Sequence, residues 1–294
     1  MHLMPDSPYL PADLERAIFE LTATLYPNTI PRLLLVARRV LVWIEPLLYR
    51  KISIPGLTEK SGNGAAILHA LANDYKTPHF FASATRYLYI FGMEWSFFNS
   101  GGSGKRRWYD SELDAVFRVC SGVESLLLMG DLEKPKLLSM ASQTMRPRRA
   151  IMLVDLLSPQ LDLSLPLFHT LTHLLLGDLT RKSAVISETW PYLNHLRNLT
   201  TLTHLGLGNC TSPELVSNLL EHCLQLECLV ICTQQPIPAL EEGEDIRREP
   251  RLVMMVMPQR MVDDWDMGTR GGLDLWARAD ASVRYQTKLY GLYR

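Results

Sequence analysis

The sequence predicts an α/β fold, with a short N-terminal unit of three helices followed by an irregular α/β solenoid of about seven strands. Two observations predict this arrangement. Over residues 10–50 the apolar residues recur at helical spacing. Beyond about residue 60, short leucine-rich segments with a period of two recur at intervals in the twenties and thirties, which is the spacing of stacked repeats.

Length and composition exclude several classes of protein. The chain has 294 residues, of which 47% are hydrophobic and 21% charged, as in an ordinary folded protein of one or two domains. A disordered chain, a collagen and a coiled coil are therefore excluded. The net charge of -1 does not favour nucleic-acid binding.

Cysteine usage and targeting signals predict a location in the cytoplasm or nucleus. The five cysteines are an odd number without a CxxC pair, which favours a reducing compartment. The N-terminus has no secretory apolar core, since Asp6 and three prolines interrupt it. The longest charge-free apolar stretch, near 163–177, is too short to span a bilayer, so no membrane association is expected.

Residues 1–55 are predicted to form the helical unit. The first helix follows Pro11 and carries one apolar stripe of Leu14, Ile18, Leu21 and Leu25. A second helix is expected from Pro31, carrying Leu34, Ala37 and Leu41. A third, short helix would hold Trp43, Leu47 and Leu48, with Glu45 and Pro46 near its start.

Seven segments of residues 56–294 are predicted strands. They are Tyr87–Phe91, Val123–Met129, Ala150–Val154, Leu171–Gly177, Leu202–Gly208, Leu226–Cys232 and Leu252–Met257. Several share the spacing Leu-x-x-Leu-x-Leu, as in Leu171, Leu174 and Leu176. This spacing is that of leucine-rich repeats. The segments between the strands supply return helices, and Leu273–Ala281 is expected to be a short capping helix at the end of the solenoid.

Strand alternation predicts which side chains form the concave face of the solenoid. Residues two apart in a strand face the same way, so the fourth and sixth positions of each repeat point into the core. The third and fifth positions then form a column of possible target-binding residues: Ser125, Leu127, His173, Leu175, His204, Cys228 and Val230. This face is either open to a partner protein or covered by loops or the C-terminal segment.

The sequence indicates no catalytic, metal or cofactor site. His173, His204 and Cys228 share one position in successive repeats, but a structural zinc site needs four ligands and no fourth is evident. Gly101–Arg107 (GGSGKRR) lacks the first glycine and the hydroxyl residue of a phosphate-binding loop. Local sequence supports no nucleophile with its base, so a non-catalytic role is predicted.

The N-terminal residues resemble the F-box. Tyr9–Phe19 (YLPADLERAIF) is similar to its opening, where Leu-Pro is followed by Leu and then Ile-Phe. Pro31–Arg39 and Trp43–Arg50 resemble its second and third helices. The remainder resembles the leucine-rich repeats of F-box-like proteins, of the type expanded in mushroom-forming fungi. One departure is that Ala37–Val40 (ARRV) stands where the family has Cys-x-x-Trp, which implies weaker or lost adaptor binding.

The resemblance implies the role of substrate receptor in a cullin–RING (SCF-type) ubiquitin ligase. The helical unit would dock a Skp-type adaptor, and the repeats would hold an unidentified target protein. The positions that match the family's adaptor contacts are Leu10, Pro11, Leu14, Ile18 and Phe19. Two alternatives stay open, namely that the same stripe is the packing face of the helical unit, and that the protein is an interaction scaffold without ligase function.

Overall fold

The chain divides into two compact units, Met1–Lys51 and Ile52–Arg294. The structure is a computed structural model that describes residues 10–54, 63–91, 108–130, 136–156, 161–178, 193–208, 212–233 and 249–291. The basic insertion Asn99–Arg107, which contains the glycine-rich segment, lies outside the described residues.

Eleven α-helices and eight strands are found in the described residues. The helices are α1 (Ala12–Leu25), α2 (Ile30–Leu33), α3 (Arg38–Leu48), α4 (Asn63–Ala72), α5 (Pro78–Ala84), α6 (Asp110–Val119), α7 (Leu137–Thr144), α8 (Leu193–Asn198), α9 (Pro213–His222), α10 (Met261–Thr269) and α11 (Leu275–Gly291). The strands are β1 (Lys51–Ile54), β2 (Tyr87–Phe91), β3 (Ser125–Met129), β4 (Arg149–Leu153), β5 (His173–Gly177), β6 (His204–Gly208), β7 (Cys228–Thr233) and β8 (Leu252–Val256).

The N-terminal unit contains α1, α2 and α3 around a small core. Its fully buried side chains are Ala23, Ile30, Val40 and Ile44. The predicted boundaries of the second and third helices are wrong. The α2 helix ends at Leu33, and the extended backbone at Ala37 starts a new helix at Arg38. Val40 and Ile44 are four residues apart on α3, so both face the core. Pro46 lies near the end of this helix and not near its start.

The second unit is built on one sheet whose strands follow chain order, β1 to β8. Each pairing from β2 to β8 is parallel, so each repeat stacks on its neighbours in sequence. The solenoid-like α/β prediction is confirmed, and all seven predicted strands are present. The four-residue β1 was not predicted.

The central strands are buried on both faces of the sheet. In β3, Leu126 and Leu128 are buried on one face, and Leu127 between them is buried on the other. The same holds for Leu174, Leu175 and Leu176 in β5. Parallel sheets in α/β proteins characteristically have both faces covered. A second layer must therefore lie against the face that the sequence assigned to the concave side.

Candidate interaction surfaces

An apolar stripe runs along α1 and is exposed. Five side chains form it: Leu10, Leu14, Ile18, Leu21 and Leu25, which we call the α1 stripe. Each is more than half exposed, and Ile18 is 51% exposed. At about 100° per residue Leu14, Ile18, Leu21 and Leu25 fall within one side of the helix, and Leu10 lies just before its first turn. Such a contiguous exposed apolar surface is typical of a docking site.

The opposite side of α1 holds the packing contacts of the unit. Ala23 is buried in the core, and Phe19 packs partly against the same cluster. The exposed side chains of the α1 stripe are therefore separate from the packing face of the unit. Among the predicted adaptor residues, Leu10, Pro11, Leu14 and Ile18 are exposed, whereas Phe19 lies on the core side.

An ion pair joins α1 to α3 beside the stripe. The Arg39 guanidinium donates to both carboxylate oxygens of Glu15, with Nε–Oε2 at 2.9 Å and Nη2–Oε1 at 2.6 Å. These hydrogen bonds lower the pKa of Glu15. The geometry is bidentate, which fixes the relative orientation of two helices better than a single contact does.

Sequence reasoning missed a second exposed apolar group in the N-terminal unit. Leu35 and Val36 lie in the turn after α2, and Val42 lies on α3. All three are more than half exposed, and Leu35 is 86% exposed. The signal was the run of three leucines and a valine at 33–36, which is longer than the four-residue α2 can bury.

The concave face of the repeats is covered by α10 and α11. One buried cluster joins concave side chains to these helices. From the sheet it includes Leu127, Ile151, Leu153, Leu175, Cys228, Val230, Cys232 and Val253, and from the helices Met261, Trp265, Leu275, Trp276 and Ala279. The two tryptophans supply much of the cover because large aromatic side chains bury the most area.

Polar contacts anchor the cover at defined positions. The Trp265 indole Nε1 donates to the Ser125 hydroxyl at 2.8 Å, and this pair is buried. Asp264 is 7% exposed, pairs with Arg278 at 2.8 Å and accepts the Leu275 amide. Buried polar groups cost stability unless they are paired, so these bonds specify one seating of the helices.

Two histidines of neighbouring strands stack beneath α11. The rings of His173 and His204 lie 4.1 Å apart with an interplanar angle of 6°. The Trp276 ring stands nearly perpendicular to both, with its centroid 5.2 Å from that of His173 and 6.1 Å from that of His204. His204 Nε2 is 2.8 Å from a carboxylate oxygen of Asp280. In each histidine, Nδ1 contacts the hydroxyl of the preceding threonine at 2.8 Å. The Thr-His pair is thus a repeated packing unit of the solenoid.

The expected open target-binding surface is therefore a core in this structure. The predicted register is correct, since these residues share the concave column, but the C-terminal helices cover it. All but one are buried and His173 is half-buried: Ser125, Leu127, His173, Leu175, His204, Cys228 and Val230. Of the two readings the sequence left open, the structure shows the covered one. The capping segment covers the sheet face and extends further, to Gly291.

The geometry around the histidines does not create a nucleophile. Burial raises the pKa of Cys228 to about 12, and Asp280 adds to the shift, so this thiol stays protonated. Both ring nitrogens of His204 already face Thr203 and Asp280. Among the described residues, no group of three or more His, Cys, Asp or Glu is arranged to hold a metal ion.

The comparisons with known proteins assign no family to the chain. No family model matches it, and no curated protein matches it. Within the described part of the chain, no helix has the length and apolarity needed to cross a membrane.

Proposed function

We propose that this protein is a non-catalytic substrate receptor of a cullin–RING (SCF-type) ubiquitin ligase. Its N-terminal unit docks a Skp-type adaptor through the α1 stripe, and its repeat unit holds a target protein. The receptor contributes proximity, because it raises the effective concentration of target lysines near the ubiquitin-loaded conjugating enzyme. The observation that carries the proposal is the exposure of the stripe on a helix that has a separate packing face.

The stripe has enough apolar surface to support docking. Fully burying a Leu or Ile side chain is worth about 1.5–3 kcal/mol, so each half-exposed member gains about 1 kcal/mol when a partner covers it. Five such side chains together supply several kcal/mol before the costs of association. Helix-in-groove binding uses this spacing of anchors on one side of a helix.

Ile18→Asp tests the docking face. Ile18 is half exposed, so the substitution leaves the core of the unit intact. In the complex, Ile18→Asp would remove an apolar contact and force a carboxylate out of water. We therefore expect binding to a purified Skp-type adaptor to weaken by at least about 100-fold. Isothermal titration calorimetry with the whole chain measures this effect.

Leu224→Asp is the matched control. Leu224 is 80% exposed, lies in the repeat unit and is not part of the α1 stripe. It introduces the same charge at an exposed leucine, and adaptor binding should stay at the wild-type value. Equal adaptor affinity of Ile18→Asp and the wild type would contradict docking through the stripe.

The second candidate function is a repeat-based interaction scaffold that binds no adaptor. The observation that favours it is Val40, which stands where the F-box pattern has Trp. Val40 is fully buried in the core of the N-terminal unit, so it presents no contact to a partner. Failure of the wild-type chain to bind any Skp-type adaptor would leave the scaffold as the better description.

A further inference from the structure

Among the described residues, no strand pairs with the outer edge of β8. β8 is the last strand of the sheet. The amide of Leu229 donates to the carbonyl of Arg251, and the amide of Met257 donates to Thr233. In a parallel ladder alternate residues bond to the same neighbour, so Val253 and Met255 also face β7. The N–H and C=O groups of Met254 and Val256 therefore point outward.

This free edge has defined limits along the strand. The Leu252 amide donates to the carbonyl of Glu249. In the orientation of the Gln286 amide that satisfies its hydrogen bonds, its nitrogen faces the strand and donates to the carbonyls of Pro250 and Leu252. At the other end Pro258 has no N–H to offer. Between these limits, Met254 and Val256 present two donors and two acceptors that no described residue engages.

The side chains at the edge are also exposed. Met254 is 40% exposed and Val256 is 46% exposed. Their partners in β7 are Ile231, which is buried, and Thr233. The sheet face that the repeats bury elsewhere thus stays partly open at its last strand.

The first strand of the sheet shows a contrasting arrangement. In β1 the backbone amide of Ser53 donates to the side-chain carbonyl of Asn63 at 2.6 Å, and the Ser53 hydroxyl lies 3.2 Å from the same oxygen. A side chain thus occupies a backbone donor of β1. Natural sheets commonly block their edges in such ways, and an exposed apolar edge is a template for strand pairing.

We propose that the outer edge of β8 binds an extended apolar segment of a partner protein as a ninth strand. The four backbone groups of Met254 and Val256 would pair with this segment, and its alternate side chains would cover the two exposed side chains. The inference rests on the proposed function only in calling the partner a ubiquitination target. The strand pairing itself does not involve the adaptor.

The size of the edge decides between a peptide segment and a second copy of this chain. The free window is two residues long, about 7 Å at the usual rise of a strand. A stable interface between folded chains buries about 1,200–2,000 Å², which pairing over so short a window does not approach. A single extended segment needs only the hydrogen bonds and the cover that the window offers, and we expect it to bind weakly.

A peptide-binding experiment with the whole chain tests the edge. The probe is a short fluorescein-labelled peptide of alternating Val and Thr, followed by fluorescence anisotropy up to about 1 mM protein. We expect saturable binding. Hydrogen exchange read by NMR should show that the peptide slows exchange at the Met254 and Val256 amides, which a contact with side chains alone does not do.

Two substitutions at one position separate backbone pairing from side-chain contact. Met254→Pro removes an outward N–H and leaves the β7–β8 hydrogen bonds in place, since proline is tolerated at an outward position of an edge strand. We expect it to weaken peptide binding by about three- to tenfold. Met254→Thr keeps the N–H and a strand-forming residue, and should retain most of the wild-type affinity.

Several outcomes would overturn the inference. They are no binding at about 1 mM protein, binding with unchanged exchange at both amides, or equal affinity of the Met254→Pro and wild-type chains. A chain that dimerises in sedimentation, and whose dimer is lost in Met254→Pro, would assign the edge to a second copy instead. Ile18→Asp should bind the peptide normally and Met254→Pro should bind the adaptor normally, so failure of either proposal is seen separately.

Discussion

The pKa of His173 is held far below its ordinary value by its position in the stacked pair. Burial lowers the pKa to about 3, and electrostatic interactions with His204 and Arg149 add to the shift. Charging this ring would place a cation in a largely desolvated site beside Arg149. The neutral form is therefore the folded form at ordinary pH.

This shift predicts an acid-sensitive step in stability. In the unfolded chain a histidine is protonated below about pH 6.5, whereas in the folded chain His173 is protonated only below about pH 3. The contribution of neutral His173 to the free energy of unfolding is complete above about pH 6.5. It is lost as the pH falls below that value, by up to about 1.4 kcal/mol per pH unit. Urea unfolding at about pH 6.5 and pH 5 should show a loss of up to about 2 kcal/mol from this group.

His173→Phe keeps a ring against Trp276 and removes the titrating group. We expect its free energy of unfolding to fall less between these two pH values than that of the wild type. His169→Phe, at an exposed position before β5, is the control and should keep the wild-type dependence. Identical pH dependence of His173→Phe and the wild type would show that the stacked pair does not set the acid sensitivity.

At the scale of elements, two glycines in β6 make room for the side chains that pack on the covered face of the sheet. A Cβ at Gly206 would lie 2.4 Å from Leu175 Cδ1 and 3.3 Å from the ring of Trp276. At Gly208 it would lie 2.9 Å from the methyl group of Met257. These positions show why a leucine-rich strand has glycine on one face, since the covering side chains approach the backbone there.

Gly206→Val should therefore disturb the seating of α11. Overpacking of a filled core costs about 1–3 kcal/mol, and we expect a loss of this size in urea unfolding together with a change in tryptophan fluorescence. Leu175→Ala in the same chain opens space for the new side chain, so the double variant should lose less stability than the sum of the two single variants. If the losses in the free energy of unfolding were additive, the new Val side chain would not clash with Leu175.

At the scale of the whole molecule, α10 and α11 bury the sheet face that the repeats alone would leave exposed. Neighbouring strands contact each other in chain order, whereas the Trp265–Ser125 bond joins residues 140 positions apart. The apolar face under α10 and α11 has many buried side chains, each worth about 1.5–3 kcal/mol. The usual net stability of a domain is about 5–15 kcal/mol, so exposure of even several of these side chains is a large change.

Truncation after Met257 is consequently expected to unfold or aggregate the repeat unit, because it removes α10 and α11. Circular dichroism and size-exclusion chromatography measure this outcome. The comparison chain lacks residues 1–49 instead, which removes a unit with its own core, and its repeat unit should stay folded. A soluble, cooperatively melting chain truncated after Met257 would mean that the cover is dispensable.

The strands were predictable from sequence because their signal is local. A period of two and a recurrent Leu-x-x-Leu-x-Leu spacing need no knowledge of distant contacts. β1 was missed because four residues give too short a pattern. The boundary between α2 and α3 was missed because it depends on one extended residue, Ala37, inside a continuous apolar run.

The state of the concave face depends on contacts between distant parts of the chain, and local patterns do not contain them. A partial signal was present, since Leu127, Leu175 and Val230 are apolar at positions assigned to an exposed face. Strands that are apolar at every position are typical of sheets covered on both sides. The α1 stripe shows the reverse case, because its spacing was evident but its exposure was not.

The position of the cover in the chain has a consequence during protein synthesis. All eight strands leave the ribosome before α10 and α11 do, and domains begin to fold as they emerge. Until α10 and α11 are made, the nascent chain displays an apolar sheet face that these two helices cover in the folded protein. A product that stops early keeps that face exposed, and so remains a ligand for chaperones that bind exposed apolar segments.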